Sequence, residues 1–104
     1  MTFTQIAEIT AETGRARTAI SILHLLLDEY DKGILEYSME QLAIAVGGTV
    51  SNISNVCNRL NEGNVLGIQY RAPDGSVSDI PRRRSGAKPF ISLSAEVLAL
   101  YRRT

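Results

Sequence analysis

The stretch "GGTVSNISNVCNRLNEGNVLGI", residues 47 to 68, decides how the chain is read. Its central part, residues 49 to 63, holds four asparagines, two serines and a threonine in a segment with the apolar spacing of a helix. Asn and Ser are indifferent helix formers because their side chains compete for backbone hydrogen bonds, so this density needs a reason beyond propensity. Thr49 is a good N-cap, Val50, Ile53, Val56, Cys57 and Leu60 form an apolar stripe, and Gly63-Asn64 supplies a stop just after Glu62. At about 100° per residue, Val50, Ile53, Cys57 and Leu60 share one side. Ser51, Asn55, Asn58 and Glu62 lie opposite, flanked by Asn52 and Arg59. The outer face is thus made of short amides and hydroxyls.

Upstream, Ser38 stands three residues before Gln41 in a capping-box spacing, and Met39, Leu42, Ala43 and Val46 form the inner face of a two-turn helix that Gly47-Gly48 ends. "ILEY", residues 34 to 37, reads as a very short strand or an extended connector. From Arg15 to Tyr30, the positions Ala16, Ala19, Ile20, Leu23, Leu26, Leu27 and Tyr30 recur at three and four, predicting a helix with one wide apolar face, closed by "DKG". A second capping-box spacing, Thr2 with Gln5, predicts a short first helix through Ile6 and Ile9.

Downstream, Leu66, Ile68 and Tyr70 alternate with Gly67, Gln69 and Arg71, the period of a half-buried strand, and "KPFISL", residues 88 to 93, reads as a second strand. Between them, residues 72 to 87 carry Pro73, Asp74-Gly75, Pro81 and Gly86, too many breakers for regular structure throughout, and predict a long hairpin tip. Ser94 caps a last helix in which Val97, Leu98, Leu100 and Tyr101 offer apolar contact. There is no internal repeat and no low-complexity segment.

Composition narrows the function. With 104 residues, 44% of them hydrophobic, the chain fits one domain, residues 1 to 104, with one modest core. No stretch approaches the roughly 18 to 20 apolar residues of a membrane span, and the first residues lack the basic-then-apolar order of a secretion signal, so a cytoplasmic location and no membrane partner are expected. A single cysteine, Cys57, forms no internal disulfide, and one Cys with one His makes no four-ligand zinc site, so neither metal nor cofactor is expected. Without a Gly-rich phosphate loop, a His with a spaced carboxylate pair or a nucleophile elbow, no enzyme is expected. His24 falls in the apolar arc of the long helix and is read as a packed or interface histidine. Cys57 is read as a small hydrophobe in the inner stripe, with redox sensing as its alternative role.

The formal net charge is zero, which argues against a nucleic-acid partner until its distribution is inspected. Residues 1 to 48 carry seven acids against three bases, and residues 49 to 104 carry eight bases against four acids, so the halves stand at −4 and +4. One part of the molecule is therefore suited to an anion.

The order of elements, and above all "MEQLAIAVGGTVSNISNVCNRLNEGNVLGI", resembles the helix, turn, recognition helix and first wing strand of winged helix-turn-helix proteins, including small MarR-like and ArsR-like bacterial regulators. The resemblance covers residues 34 to 93, and "RLNEGNVLGI" is its most typical piece. It implies an α+β fold, mainly helical with a small β-hairpin, carrying extra N- and C-terminal helices. It also implies a sequence-specific transcriptional regulator, a repressor by occlusion, whose partner is double-stranded DNA. On that resemblance Thr49, Ser51, Asn52, Asn55, Asn58 and Arg59 belong to the recognition helix, because amides read base edges where charge alone gives only affinity. Arg71, Arg82, Arg83, Arg84 and Lys88 belong to the wing, where they meet phosphates or a narrow minor groove. Taken alone, each of these groups is ordinary solvated surface; their position after a Gly-Gly turn and on a hairpin tip gives them a use.

Two terminal elements with apolar stripes are not expected to fit together on so small a core. Phe3, Ile6, Ile9, Val97, Leu98 and Tyr101 are therefore expected in a homodimer interface that sets two recognition helices roughly 34 Å apart. The alternatives are a plasmid partition or replication adaptor, and a winged-helix module for protein contacts that binds no DNA. A small-molecule effector is left unknown.

Overall fold

Side-chain caps set most of the helix starts in the computed structural model, which describes residues 1–78 and 86–102. Helix α1 (Phe3–Glu12) opens on a reciprocal pair: the Gln5 amide donates to Thr2 Oγ1 at 3.1 Å and the Thr2 amide donates to Gln5 Oε1 at 2.7 Å. The same box, Ser38 with Gln41, opens α3 (Met39–Val46) at 3.1 and 3.0 Å. Thr49 Oγ1 accepts the Asn52 amide at 3.2 Å to open α4 (Val50–Glu62), and Ser94 Oγ accepts the Val97 amide at 3.1 Å to open α5 (Ala95–Arg102). Each such cap satisfies an amide that would otherwise have no partner, and contributes about 1 kcal/mol. Helix α2 (Ala16–Asp31) is the exception, since Arg15 at its N-cap makes no side-chain bond.

The turn between α3 and α4 depends on Gly47, whose φ of 84° lies in the left-handed region that side chains rarely adopt. At the other end of α4 the glycine has a different job. Gly63 has a φ of −83°, and it is Asn64 that takes the left-handed turn, at 61°. A Cβ on Gly63 would lie 2.7 Å from Ile9 Cγ2, so the missing side chain lets α1 lie against the end of α4.

The four strands β1 (Tyr37–Ser38), β2 (Leu66–Arg71), β3 (Val77–Ser78) and β4 (Lys88–Leu93) form one antiparallel sheet in the order β1-β4-β2-β3. Strands β2 and β4 pair from Leu66↔Leu93 to Arg71↔Lys88, and β1 joins β4 through Tyr37↔Ile91 and Ser38↔Phe90. The segment "ILEY" therefore contributes only its last residue to a strand. Strand β3 is an addition to the expectation of an irregular tip: Val77 and Ser78 fold back on Arg71 and Tyr70 around Gly75, whose φ is 89°. The Asp74 carboxylate secures that turn by accepting from the Ser76 amide at 2.9 Å and the Ser76 hydroxyl at 2.7 Å.

The chain is thus α+β, with five helices over a small antiparallel sheet among the described residues. Its core takes Ile22 and Leu26 from α2, Leu42 from α3, Ile53, Val56, Cys57 and Leu60 from α4, Ile68 and Ile91 from the sheet and Val97 from α5. Burying one such Leu or Ile side chain is worth about 1.5 to 3 kcal/mol, so α4 is fastened chiefly by its inner stripe. Ile22 is fully buried, whereas Ile20, expected in the apolar face of α2, is exposed. Among the described residues no helix is long and apolar enough to cross a membrane.

Candidate nucleic-acid interface

Helix α4 presents the two faces its sequence predicts, with one change. Ile53, Val56, Cys57 and Leu60 are buried, while Val50, expected in the same stripe, is 48% exposed. It is the first residue of the helix, and the core does not extend beneath that turn. Ser51, Asn55, Asn58 and Arg59 are exposed and Asn52 is half-buried. No side chain of Ser51, Asn52, Asn55 or Asn58 hydrogen-bonds to another described residue, so their amides and hydroxyls are left to solvent or a ligand. Thr49 is engaged as the N-cap, so its hydroxyl is already accepting the Asn52 amide.

Two hollows border this exposed face. One is lined by Ser38, Gln41, Val50, Ser54, Lys88 and Phe90, where the start of β4 approaches the first turns of α3 and α4. Lys88 is exposed at its rim. The other is lined by Thr13, Arg15, Asn55, Asn58, Arg59 and Glu62 and lies against the turn between α1 and α2. Ile44 on α3 is the most exposed large apolar residue among those described, at 83%.

Arg71, expected at the wing, lies at the end of β2 and has a partner within the chain. Its Nη1 pairs with Glu36 Oε1, its Nη2 donates to Glu36 Oε2 at 2.5 Å, and the guanidinium stacks 4.5 Å from the Phe90 ring centroid. A fork held by both carboxylate oxygens has its charge balanced by the partner and two of its five N–H donors engaged. The hydrogen bonds to Glu36 hold Arg71 charged by raising its pKa. Arg71 therefore braces the base of the β2–β4 hairpin against the segment before β1. Arg82, Arg83 and Arg84, the remaining wing residues, lie outside the described residues.

Across the molecule lies an apolar groove of about 330 Å³ between α1, α2 and α5, lined by Phe3, Ile6, Ile20, His24, Leu27, Leu100 and Tyr101 among others. Phe3 is 60% exposed at its rim. Val97, expected at a subunit interface, is 5% exposed and belongs to the chain's own core. Ile6, Ile9 and Leu98 are partly buried against the same core, so the two terminal helices do share it, and the outward apolar surface reduces to Phe3, Ile20 and the groove they flank. The Tyr101 hydroxyl donates to Asp31 Oδ2 at 2.5 Å and Arg102 Nη2 donates to Tyr30 Oη at 2.6 Å, which ties the end of α5 to the end of α2. His24 is exposed at the groove.

Cys57 is fully buried, and burial pushes its thiol up to about 12, so at neutral pH it stays protonated and packs as a hydrophobe. No group of His, Cys, Asp and Glu among the described residues is arranged to hold a metal ion. Sequence reading missed three features of this face: the exposure of Val50, the neutralisation of Arg71 and the nearness of Arg15. The charge opposition of Glu36 and Arg71 was visible in the sequence, but their proximity depends on β1 joining the sheet.

Comparison with family models, with curated proteins and with solved structures gave no match.

Proposed function

We propose that the chain is a winged helix-turn-helix protein that binds double-stranded DNA in a sequence-specific manner and represses transcription by occluding a promoter. In this proposal α4 is the recognition helix and the β2–β4 hairpin is the wing. The observation that carries it is the outer face of α4. Ser51, Asn55 and Asn58 point away from the core on a capped helix that follows a tight glycine turn, and none has a partner within the described chain. Asn both donates and accepts, so it can match the N6 and N7 edge of adenine in a major groove, which a purely charged face cannot do. Phosphate contacts fix register, and bases then specify sequence.

The protein acts as a homodimer in this proposal, through the groove flanked by Phe3 and Ile20. Arg17 and Asp28 sit eleven residues apart on the same exposed side of α2, with His24 between them. Two α2 helices running antiparallel about a two-fold axis bring each Arg17 to the other copy's Asp28, so the face is complementary to itself. Doubling the DNA contacts offsets the lack of net charge.

The apolar groove and the zero net charge also favour a second reading, a module that binds only protein. One experiment separates the two. The full chain is used to select duplexes from a random pool, and the complexes are then titrated at several salt concentrations. A DNA-binding regulator enriches a pseudo-palindromic site and loses affinity linearly in log salt, by about 0.9 per phosphate contacted. Failure to enrich any sequence, with no complex at about 50 mM salt, would leave only the protein-contact reading.

A further inference from the structure

A neutral chain needs local sources of positive charge if α4 is to lie against a polyanion, because affinity for duplex DNA comes largely from neutralised phosphates. Near α4 the described cations are few. Arg71 is neutralised by Glu36, and Lys88 borders the hollow on the Val50 and Ser54 side. On the other edge of the exposed face, the turn between α1 and α2 brings Arg15 to the hollow of about 570 Å³ that Asn55, Asn58 and Arg59 also line. Successive turns of α4 therefore offer a cation-bordered hollow on each side of the strip that carries Ser51.

The position of Arg15 is set by its main chain. Its carbonyl accepts the Ala19 amide at 3.0 Å and its own amide donates to Thr13 Oγ1 at 3.2 Å. The Thr13 hydroxyl in turn donates to the Thr10 carbonyl at 2.7 Å, and both threonines are buried. The turn is thus anchored without the Arg15 side chain, which takes no part in capping α2. Arg15 and Arg59 are both exposed, and neither has an ion-pair partner within 4.0 Å among the described residues. One acid, Glu62, shares the hollow, and Arg59 also borders a smaller one with Glu12 and Glu62. Two guanidinium groups against one shared carboxylate leave the hollow locally positive, and a guanidinium fork matches phosphate oxygens two at a time.

Resting on the DNA-binding proposal above, the geometry points to a seat for one DNA backbone phosphate, formed by the Arg15 and Arg59 guanidinium groups in the hollow that Asn55 and Asn58 also line, on the edge of α4 away from Lys88. The recognition helix is then held at both borders of the groove it enters. Arg15 is a positioning residue: it contributes affinity and register, and Asn55 and Asn58 contribute more to sequence choice when that register is fixed.

The test compares the full wild-type chain with Arg15→Ala, Lys32→Ala and Glu62→Gln on a duplex selected by the wild type. Lys32→Ala is the control, since it removes the same charge just beyond the far end of α2 and Lys32 lines neither hollow. Removing the partner of one phosphate at 0.1 M salt corresponds to a roughly eight-fold weaker affinity and a salt slope shallower by about 0.9. Arg15→Ala is expected to weaken by that much on selected and random DNA alike, with an unchanged melting temperature, while Lys32→Ala stays within about two-fold of wild type and Glu62→Gln binds more tightly. Methylphosphonate substitution, one phosphate at a time, should find a position that weakens wild type clearly more than it weakens Arg15→Ala, which keeps Arg59 alone at the seat. Equal behaviour of Arg15→Ala and Lys32→Ala, or no such methylphosphonate position, overturns the phosphate seat while leaving DNA binding intact. Absence of any wild-type complex overturns both.

Discussion

The face around α4 and the face around the α1–α2–α5 groove are built from opposite materials. The first is a row of short polar side chains bordered by Arg15, Arg59 and Lys88, with Val50 and Ile44 as isolated apolar points. The second is a hollow lined mainly by carbon, with Phe3 and Ile20 standing out from its rim. A polar face without partners keeps its hydrogen-bonding groups for a ligand that supplies donors and acceptors, whereas an exposed apolar groove gains only from covering by another apolar surface. The zero net charge averages over these two surfaces and describes neither.

The difference can be attacked first at what lies beneath α4. Leu60→Ala removes a fully buried side chain and should lower stability by about 2 to 5 kcal/mol, read as a drop in melting temperature and denaturant midpoint. An unchanged midpoint would show that the faces of α4 are assigned the wrong way round. On the groove side, Phe3→Asp with Ile20→Asp replaces two exposed apolar groups, so the fold should survive. Light scattering at micromolar concentration should fall from twice the monomer mass to the monomer mass; a monomeric wild type would remove the proposed use of the groove.

On the polar side, Asn55→Ala should weaken binding to a selected duplex by about 1 to 3 kcal/mol and leave random DNA nearly unaffected. Equal losses on both would reduce Asn55 to a backbone contact. A smaller effect is expected from Val50, whose exposed methyls suit the 5-methyl group of thymine. Replacing thymine by uracil in the selected site should cost about 0.8 kcal/mol for wild type, the worth of one buried carbon, and nothing for Val50→Ala. The least effect belongs to Cys57, which should resist alkylation at pH 8 until the chain is unfolded. Because folding raises this thiol from 9.0 to about 12, its contribution to stability is complete below about pH 9 and is lost as pH rises toward 12. Rapid labelling of the native protein would mean that the inner stripe of α4 opens readily.

The helices were legible because their starts are written in local chemistry. Thr2 with Gln5, Ser38 with Gln41, Thr49 and Ser94 all make the caps their spacing announces. The β2–β4 pairing was equally legible, since alternation in Leu66–Arg71 and in Lys88–Leu93 needs only its neighbour across the hairpin. What escaped depends on distant parts of the chain. Which side of α2 is covered, that of Ile22 or that of Ile20, depends on how the helix packs against α1, α3, α4 and β4, and Val50 is buried or exposed according to where the core ends. Arg71 looked like an available cation because Glu36, thirty-five residues earlier, meets it only through the β1–β4 pairing. Gly63 with Asn64 does stop α4 as its pattern announces, but Gly63 also makes room for Ile9 of α1, which the local pattern does not mention.

Strand β4 is the shared neighbour of β1 and β2, and its two ladders close loops of very different length. The pairs nearest in sequence, Arg71↔Val77 in β2–β3 and Arg71↔Lys88 in β2–β4, close short loops, whereas Tyr37↔Ile91 closes one of fifty-four residues. Loop closure grows costlier by about 0.6 kcal/mol for each doubling of length, and non-local contacts slow the approach to the native state. The two pairs that Tyr37 and Ser38 make with β4 are few beside the six that join β2 to β4. The clasp between Glu36 and Arg71 is therefore expected to form late, so that its loss speeds unfolding more than it slows folding.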